Sequence, residues 1–255
     1  NDGAAAMLLS PLLTLEEKWL ALCFFAELMG GDVQSAWVAL QLKRRKLNSV
    51  EQLLVSPDLA ANAWGLPLLG AGNHGDGDYR TRCEENYLSL LARIRRGEVR
   101  RLLLVGDRAL LDEDLDIELI DALLAVEQSV AITPRGLLDG ESLDAERGLL
   151  GAHQLCRIVL PGRTVHEKSG VMVNKDFRLQ RLSRLLTPPE NSLPEWMHLQ
   201  GIAQAGGKVL AGGYIGDERL LYAEMAKRCS ALAGISLRDI GDLGIALSPQ
   251  GGRVL

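Results

Sequence analysis

Several stretches of this chain are apolar at consecutive positions, not at every second one. The clearest runs from Leu102-Leu103-Leu104-Val105 into Gly106-Asp107, within an expected strand at 99–107. Ala6-Met7-Leu8-Leu9, closed by Ser10-Pro11, is another, and residues 37–42, 129–133 and 155–160 repeat the pattern, the last stopped by Pro161. A strand with one wet face alternates apolar and polar side chains, whereas a strand covered on both faces does not. Segments with helical spacing lie between these runs, at 79–95 through Tyr87, Leu88, Leu91 and Ile94, and at 114–126 with acids at its start. Helices alternating with continuous apolar strands specify an α/β fold, a doubly wound, mostly parallel sheet covered on both sides.

The first helix has the most explicit local code. Thr14 precedes Leu15-Glu16-Glu17, so Thr14 is placed to cap the free amides while Glu17, three residues on, reaches back as a capping box requires. The apolar stretch that follows ends at Gly30-Gly31. A short helix is expected at 49–56, and the basic run Lys43-Arg44-Arg45-Lys46 before it reads as a solvated face. After Pro161 the character changes. The segment to Pro194 is polar and loop-like, with Pro188-Pro189 within it, and helices are expected at 194–205 and 217–233. The expected organisation is therefore a doubly wound α/β domain over 1–161, with a loop-rich helical C-terminal appendage, 162–255, packed on it.

Function classes fall away by residue type. Cys23, Cys83, Cys156 and Cys229 are far apart, with no CxxC or Cys/His cluster for zinc or an iron–sulfur centre. Cys156, with apolar neighbours, reads as an inert core thiol. His74, His153, His166 and His198 have no partner at metal-ligand spacing, and Asp112-Glu113-Asp114 lacks the order of a calcium loop, so no metal site is expected. Aromatics are only 4% and the net charge is −5, which argues against nucleic acid as a partner. No apolar run is long enough for direct membrane insertion. Gly70-Ala71-Gly72-Asn73-His74-Gly75 spells GxGxxG, but Pro67 precedes it and Arg93 to Arg96 stand where the ribose-binding acid belongs, so it reads as a glycine-rich surface loop. No catalytic constellation is visible. The opening Asn1-Asp2-Gly3-Ala4 is neither an initiator Met nor a signal peptide, and the chain reads as a piece of something longer.

One stretch is more specific. From Leu160-Pro161 the chain passes through Glu167, Gly170, Asn174, Asp176, Arg178 and Gln180, a loop in which side chains can satisfy irregular backbone and Gly170 marks a close backbone approach or a positive φ. Arg178 has Glu167 and Asp176 as candidate ion-pair partners. Pro189-Glu190 and then Glu195-Trp196 follow, and Ala233-Gly234-Ile235-Ser236-Leu237 stands near the end. This spacing resembles the molybdopterin oxidoreductase family, and within it the branch of the large iron–sulfur subunit of bacterial NADH–quinone oxidoreductase (complex I). Three positions depart from the family: Cys156-Arg157 stand in place of Ala-Asp, Val171 in place of Thr, and Phe177 in place of Gly or Arg.

The resemblance implies a non-catalytic scaffold fragment of such a subunit, with no cofactor of its own. Its parent would carry iron–sulfur clusters. Its partners would be the rest of the parent chain and the subunits of a respiratory complex, and its location cytoplasmic, peripheral at the inner face of the cell membrane through that complex. The alternative it implies is a fragment of a true molybdopterin guanine dinucleotide enzyme such as a formate dehydrogenase. In either case Gly72, Asn73, Gly75, Glu167, Gly170, Asn174 and Arg178 are the candidate cofactor-binding, or remnant, site.

Overall fold

The computed structural model describes residues 4–30, 37–41, 61–70, 79–106, 117–134, 155–213 and 215–247. The glycine-rich loop with Gly72, Asn73 and Gly75, the expected helix at 49–56, the basic run 43–46 and the acidic segment 112–114 lie outside the described residues.

The continuous apolar runs become strands β1 (Ala4–Leu9), β2 (Val38–Leu40), β3 (Val99–Val105), β4 (Gln128–Thr133) and β5 (Ile158–Pro161). They form one sheet in the order β2-β1-β3-β4-β5, and every pairing is parallel. A single row across it joins Val38, Met7, Leu103, Val130 and Ile158. Helix α1 (Leu15–Leu28) packs on one face of the sheet, against Met7, Leu9, Leu103, Val105 and Ile132. A single-turn helix, α2 (Gly65–Leu68), lies beside it. Helices α3 (Tyr79–Arg95) and α4 (Ile117–Ala125) cover the other face, where Ala6, Leu8, Leu102, Leu104 and Ala131 meet Tyr87, Leu90, Leu91, Leu119 and Leu123. Both faces of the central strands β1, β3 and β4 are covered, so these strands need no alternation, while the edge strand β5 is partly exposed, with Ile158 54% exposed, and the doubly wound α/β expectation holds. No helix among the described residues is long and apolar enough to cross a membrane.

The last strand of this sheet is shorter than its sequence signal. Leu155 and Cys156 precede β5 and are buried with α3 and α4 on the far face, while the strand itself starts at Ile158. Burial pushes the Cys156 thiol up to about 11, and an unionised thiol is an inert one.

The segment after Pro161 is more regular than its polarity implies. A 3₁₀ turn (Val165–Glu167) leads into β6 (Gly170–Val173) and β7 (Arg178–Leu182), an antiparallel hairpin that β8 (Ile245–Ala246) extends at the far side of β7. The sequence leaves hairpin and loop both open here, because β7 turns only Leu179 fully inward between polar neighbours, too little to register as alternation. Helix α5 (Glu195–Ala205) and helix α6 (Glu218–Arg228) follow. The helix expected over 217–233 breaks at Cys229 into a 3₁₀ turn, before the short α7 (Leu237–Ile240). Val171, Val173, Leu179, Leu199, Leu221 and Met225 from this half join the α1 side of the first sheet in one core. Helix α1 is consequently buried nearly all round, the environment of a central helix.

Candidate functional site

The polar motif lies along the hairpin, and each of its residues is engaged by its own surroundings. Thr164 donates from both its backbone N and Oγ1 to Glu167 Oε2, each at 2.9 Å, so Glu167 closes the 3₁₀ turn that contains it. Asn174 forms the hairpin turn: its Oδ1 accepts from the amides of Asp176 and Arg178, both at 2.9 Å, and its Nδ2 donates to Gln180 Oε1 at 3.2 Å. The Arg178 guanidinium does not pair with Glu167 or Asp176. It donates to the carbonyls of Leu243 and Gly244 at 3.1 and 3.2 Å, tying the segment before β8 to the hairpin, while Asp176 takes Lys175. Gly170 is a close approach: a Cβ there would lie 2.6 Å from Thr14 Cγ2 and 3.0 Å from Glu16 Oε2, so β6 runs against the cap of α1 as only glycine allows. Glu167 thus lies in the turn before the hairpin, and Gly170, Asn174 and Arg178 lie along the hairpin, with no shared focus among their polar groups.

Phe177, where the family resemblance places glycine or arginine, has φ +55°, a left-handed conformation that costs a non-glycine residue about 1–2 kcal/mol. Its ring contacts Trp64 with centroids 4.2 Å apart, which offsets part of that cost.

The densest polar chemistry lies elsewhere, at the carboxyl end of the parallel sheet, where α1, the turn before β6 and α5 meet. Lys168 Nζ is 2.9 Å from Glu17 Oε2 and 3.1 Å from Glu195 Oε2, and none of the three side chains is more than 3% exposed. Glu17 enters through the capping box read in the sequence, with Thr14 N donating to its Oε2 at 2.9 Å and its own amide donating to Thr14 Oγ1 at 3.3 Å. Glu195 opens α5. Both carboxylates therefore stand in the first turn of a helix, where the macrodipole favours negative charge.

Burial alone would raise Glu17, but the Lys168 ammonium and a hydrogen bond from Glu195 outweigh it and hold its carboxyl below the ordinary range. Burial and the neighbouring Glu17 charge push Glu195 far the other way. Burial opposes the charge on Lys168, but the two acids prevail and hold its ammonium above the ordinary lysine value. Oε1 of each acid is buried without a hydrogen-bond partner, and the opposite shifts of the two carboxyls favour a proton on Glu195 over one on Glu17. Gly162, at the end of β5, admits the cluster closely: a Cβ there would come 3.1 Å from Glu195 Oε1.

A second tier surrounds this cluster. Glu16 Oε2 accepts from Val171 N at 3.0 Å, and burial pushes its carboxyl up to about 8 despite that bond. Lys18 donates to the carbonyls of Pro11, Leu13 and Asn62, the last at 2.6 Å, while burial pulls its amine well below the usual lysine range. Asn62 links three segments, donating to Leu13 O at 2.8 Å and accepting from Val173 N at 2.8 Å. Glu195, Lys18, Asn62 and Lys168 carried no functional assignment in the sequence. The one local signal was Glu16-Glu17-Lys18 at the start of a helix whose remaining turns are largely apolar.

This arrangement grips backbone and neutralises charge, but it is sealed from solvent and offers a substrate no access. Among the described residues, no group of three or more His, Cys, Asp or Glu is placed to hold a metal ion. Doubly wound sheets bind ligands where successive crossovers diverge, here between the carboxyl ends of β1 and β3. At the carboxyl end of β3 the chain packs closely on the segment after β1: a Cβ on Gly106, whose φ is +98°, would lie 2.7 Å from Ser10 Cβ and 2.8 Å from Leu13 Cδ2.

Fold and site together define a doubly wound α/β unit with an antiparallel hairpin clamped to its first helix through buried charge. No family model matches the chain. Among curated proteins, it is similar to the F420-dependent formate dehydrogenase 2 subunit alpha of Methanococcus maripaludis, 31% identical over 94 residues. That match covers 36% of this chain and 14% of the formate dehydrogenase polypeptide. The chain is a distant, partial homologue of that oxidoreductase component.

Proposed function

We propose that this chain is a structural, non-catalytic part of a molybdopterin-oxidoreductase-type protein, of the kind found in the large iron–sulfur component of NADH–quinone oxidoreductases. One observation carries this reading: the polar residues of the motif are spent on the chain's own backbone. Glu167 caps its own turn, Asn174 builds the hairpin turn, Arg178 holds the segment before β8, and Gly170 is pressed against the cap of α1. These residues leave no free donor set aimed at a common point, which supports a scaffold role for the hairpin over a cofactor-holding one. The role is to pack and to present surfaces to the rest of a longer chain and to other members of a respiratory complex, peripheral to the membrane through that assembly.

A second reading has support from the partial similarity to a formate dehydrogenase alpha subunit. In it the chain is one wall of a pterin site, with Gly72, Asn73 and Gly75 approaching the dinucleotide together with the hairpin. Metal analysis of the full-length protein purified from its source separates the two. The scaffold reading expects iron without molybdenum or tungsten. Stoichiometric molybdenum or tungsten, lost when Gly72, Asn73 and Gly75 are replaced together, would establish the enzyme reading in its place.

A further inference from the structure

We propose that the open groove between β7, α6 and α7 binds an acidic peptide segment of a partner. The groove has a volume of about 790 Å³ and gathers Arg181 from β7, Arg219 and Lys227 from α6 and Arg238 from α7, with no aspartate or glutamate in its lining. This concentration runs against the sign of the whole chain, whose net charge is −5. Lys227 shares Glu224 with Arg228, whereas among the described residues no carboxylate forms an ion pair with Arg181, Arg219 or Arg238. Asp239, the nearest acid in sequence to Arg238, accepts from the backbone N and Oγ of Ser236, each at 2.7 Å, and so caps α7.

The shape favours a peptide over a single anion. Arg219 and Lys227 stand eight residues apart on the same face of α6, about 12 Å along a helix axis, too far to converge on one phosphate. Alternate side chains of an extended peptide recur about every 7 Å and meet such a row in sequence. The guanidinium fork donates two parallel hydrogen bonds to a carboxylate. Below the charges the floor is apolar and fixed: Tyr222 is only 2% exposed and donates its hydroxyl to Ile235 O at 3.1 Å. A buried Tyr222 offers no ring on which a nucleic-acid base could stack. The partner segment therefore carries glutamates or aspartates interleaved with apolar residues.

The test is fluorescence anisotropy of a short fluorescein-labelled peptide of alternating glutamate and leucine against the whole chain, with a glutamine-for-glutamate peptide as control. The glutamate peptide binds at low salt, weakens as salt shortens the reach of the charges, and outcompetes the control. The double variant Arg219→Glu/Arg238→Glu weakens it by about tenfold or more, the sum of two good surface pairs, while Arg219→Lys/Arg238→Lys retains most of the affinity. An unchanged urea midpoint shows that the variants remain folded. Absence of binding at low salt, equal binding by the charge-reversed variant, or displacement by inorganic pyrophosphate at the peptide's own concentration would overturn the proposal, the last by assigning the groove to small phosphorylated molecules.

Discussion

The two faces of the parallel sheet are covered by different means. Toward α3 and α4 the interface is mainly apolar, with Leu8, Leu102 and Leu104 against Tyr87, Leu90 and Leu123, and its buried polar groups, such as Ser129, are uncharged. Toward α1 the same strands contribute Met7, Leu9 and Val105, but the carboxyl end of that layer is closed by Glu16, Glu17, Lys18, Lys168 and Glu195, each at most 3% exposed. An apolar interface gains from area and tolerates any partner of suitable volume. A buried ion cluster gains little net stability, but removing one member leaves a charge with no partner. The first face is therefore held by quantity of burial and the second by a specific match among three segments.

The largest expected effect breaks that match. Lys168→Met strands the Glu17 carboxylate in the core and lowers unfolding stability by about 3–5 kcal/mol in urea titrations at neutral pH. Replacing Glu17, Lys168 and Glu195 together by Gln, Met and Gln should recover most of that loss, and a triple variant as unstable as Lys168→Met would refute the charge-matching account. On the other face, Leu104→Ala costs about 2–4 kcal/mol through the cavity it leaves, with no dependence on pH, because its surroundings are apolar. A pH-dependent loss there would erase the distinction between the faces.

Glu16 sharpens the contrast through proton linkage. Its folded value, about 8, lies above the ordinary 4.5. Between those values the folded protein keeps a proton that the unfolded chain has released, so this residue's contribution to stability declines as pH rises from 4.5 and levels off above about 8. Glu16→Gln keeps an acceptor for Val171 N and removes the slope, so the variant is more stable than the wild type at pH 9 by on the order of 1–3 kcal/mol. Parallel stability–pH curves for the two proteins would sink this assignment. The smallest effect is at the hairpin turn. Phe177→Gly relieves a left-handed φ but gives up the Trp64 contact, two terms of similar size, so the unfolding free energy moves by less than about 1 kcal/mol. A loss of several kcal/mol would mean that the ring contact, and not the backbone, sets the turn.

Legibility in the sequence followed the range of the interaction. The Thr14–Glu17 capping box was readable because both partners lie within one helical turn, and the parallel strands were readable because double-sided burial leaves a mark on consecutive residues. Hairpin and loop could not be told apart in the stretch after Pro161 because β7 buries one apolar residue between arginines and glutamine. Lys168 stood in plain view inside the most specific stretch, yet carried no signal, since a lysine before a strand is ordinarily solvated. The polar motif was visible as residue types at intervals, but intervals do not reveal that Glu167 and Asn174 serve their own turns while Arg178 reaches the backbone of Leu243 and Gly244.

From sequence alone came the α/β class, the parallel strands and the cap of α1, all fixed by run length and by spacings of three or four residues that any isolated segment already contains. Tertiary structure alone decided that Glu16 meets Val171 across 155 positions, that Asn62 meets Val173 across 111, and that Lys168 lies between two acids. The reason is dielectric: a carboxylate or ammonium has the same chemistry wherever it falls in the chain, and only exclusion of water, which the assembled fold creates, makes its choice of partner matter.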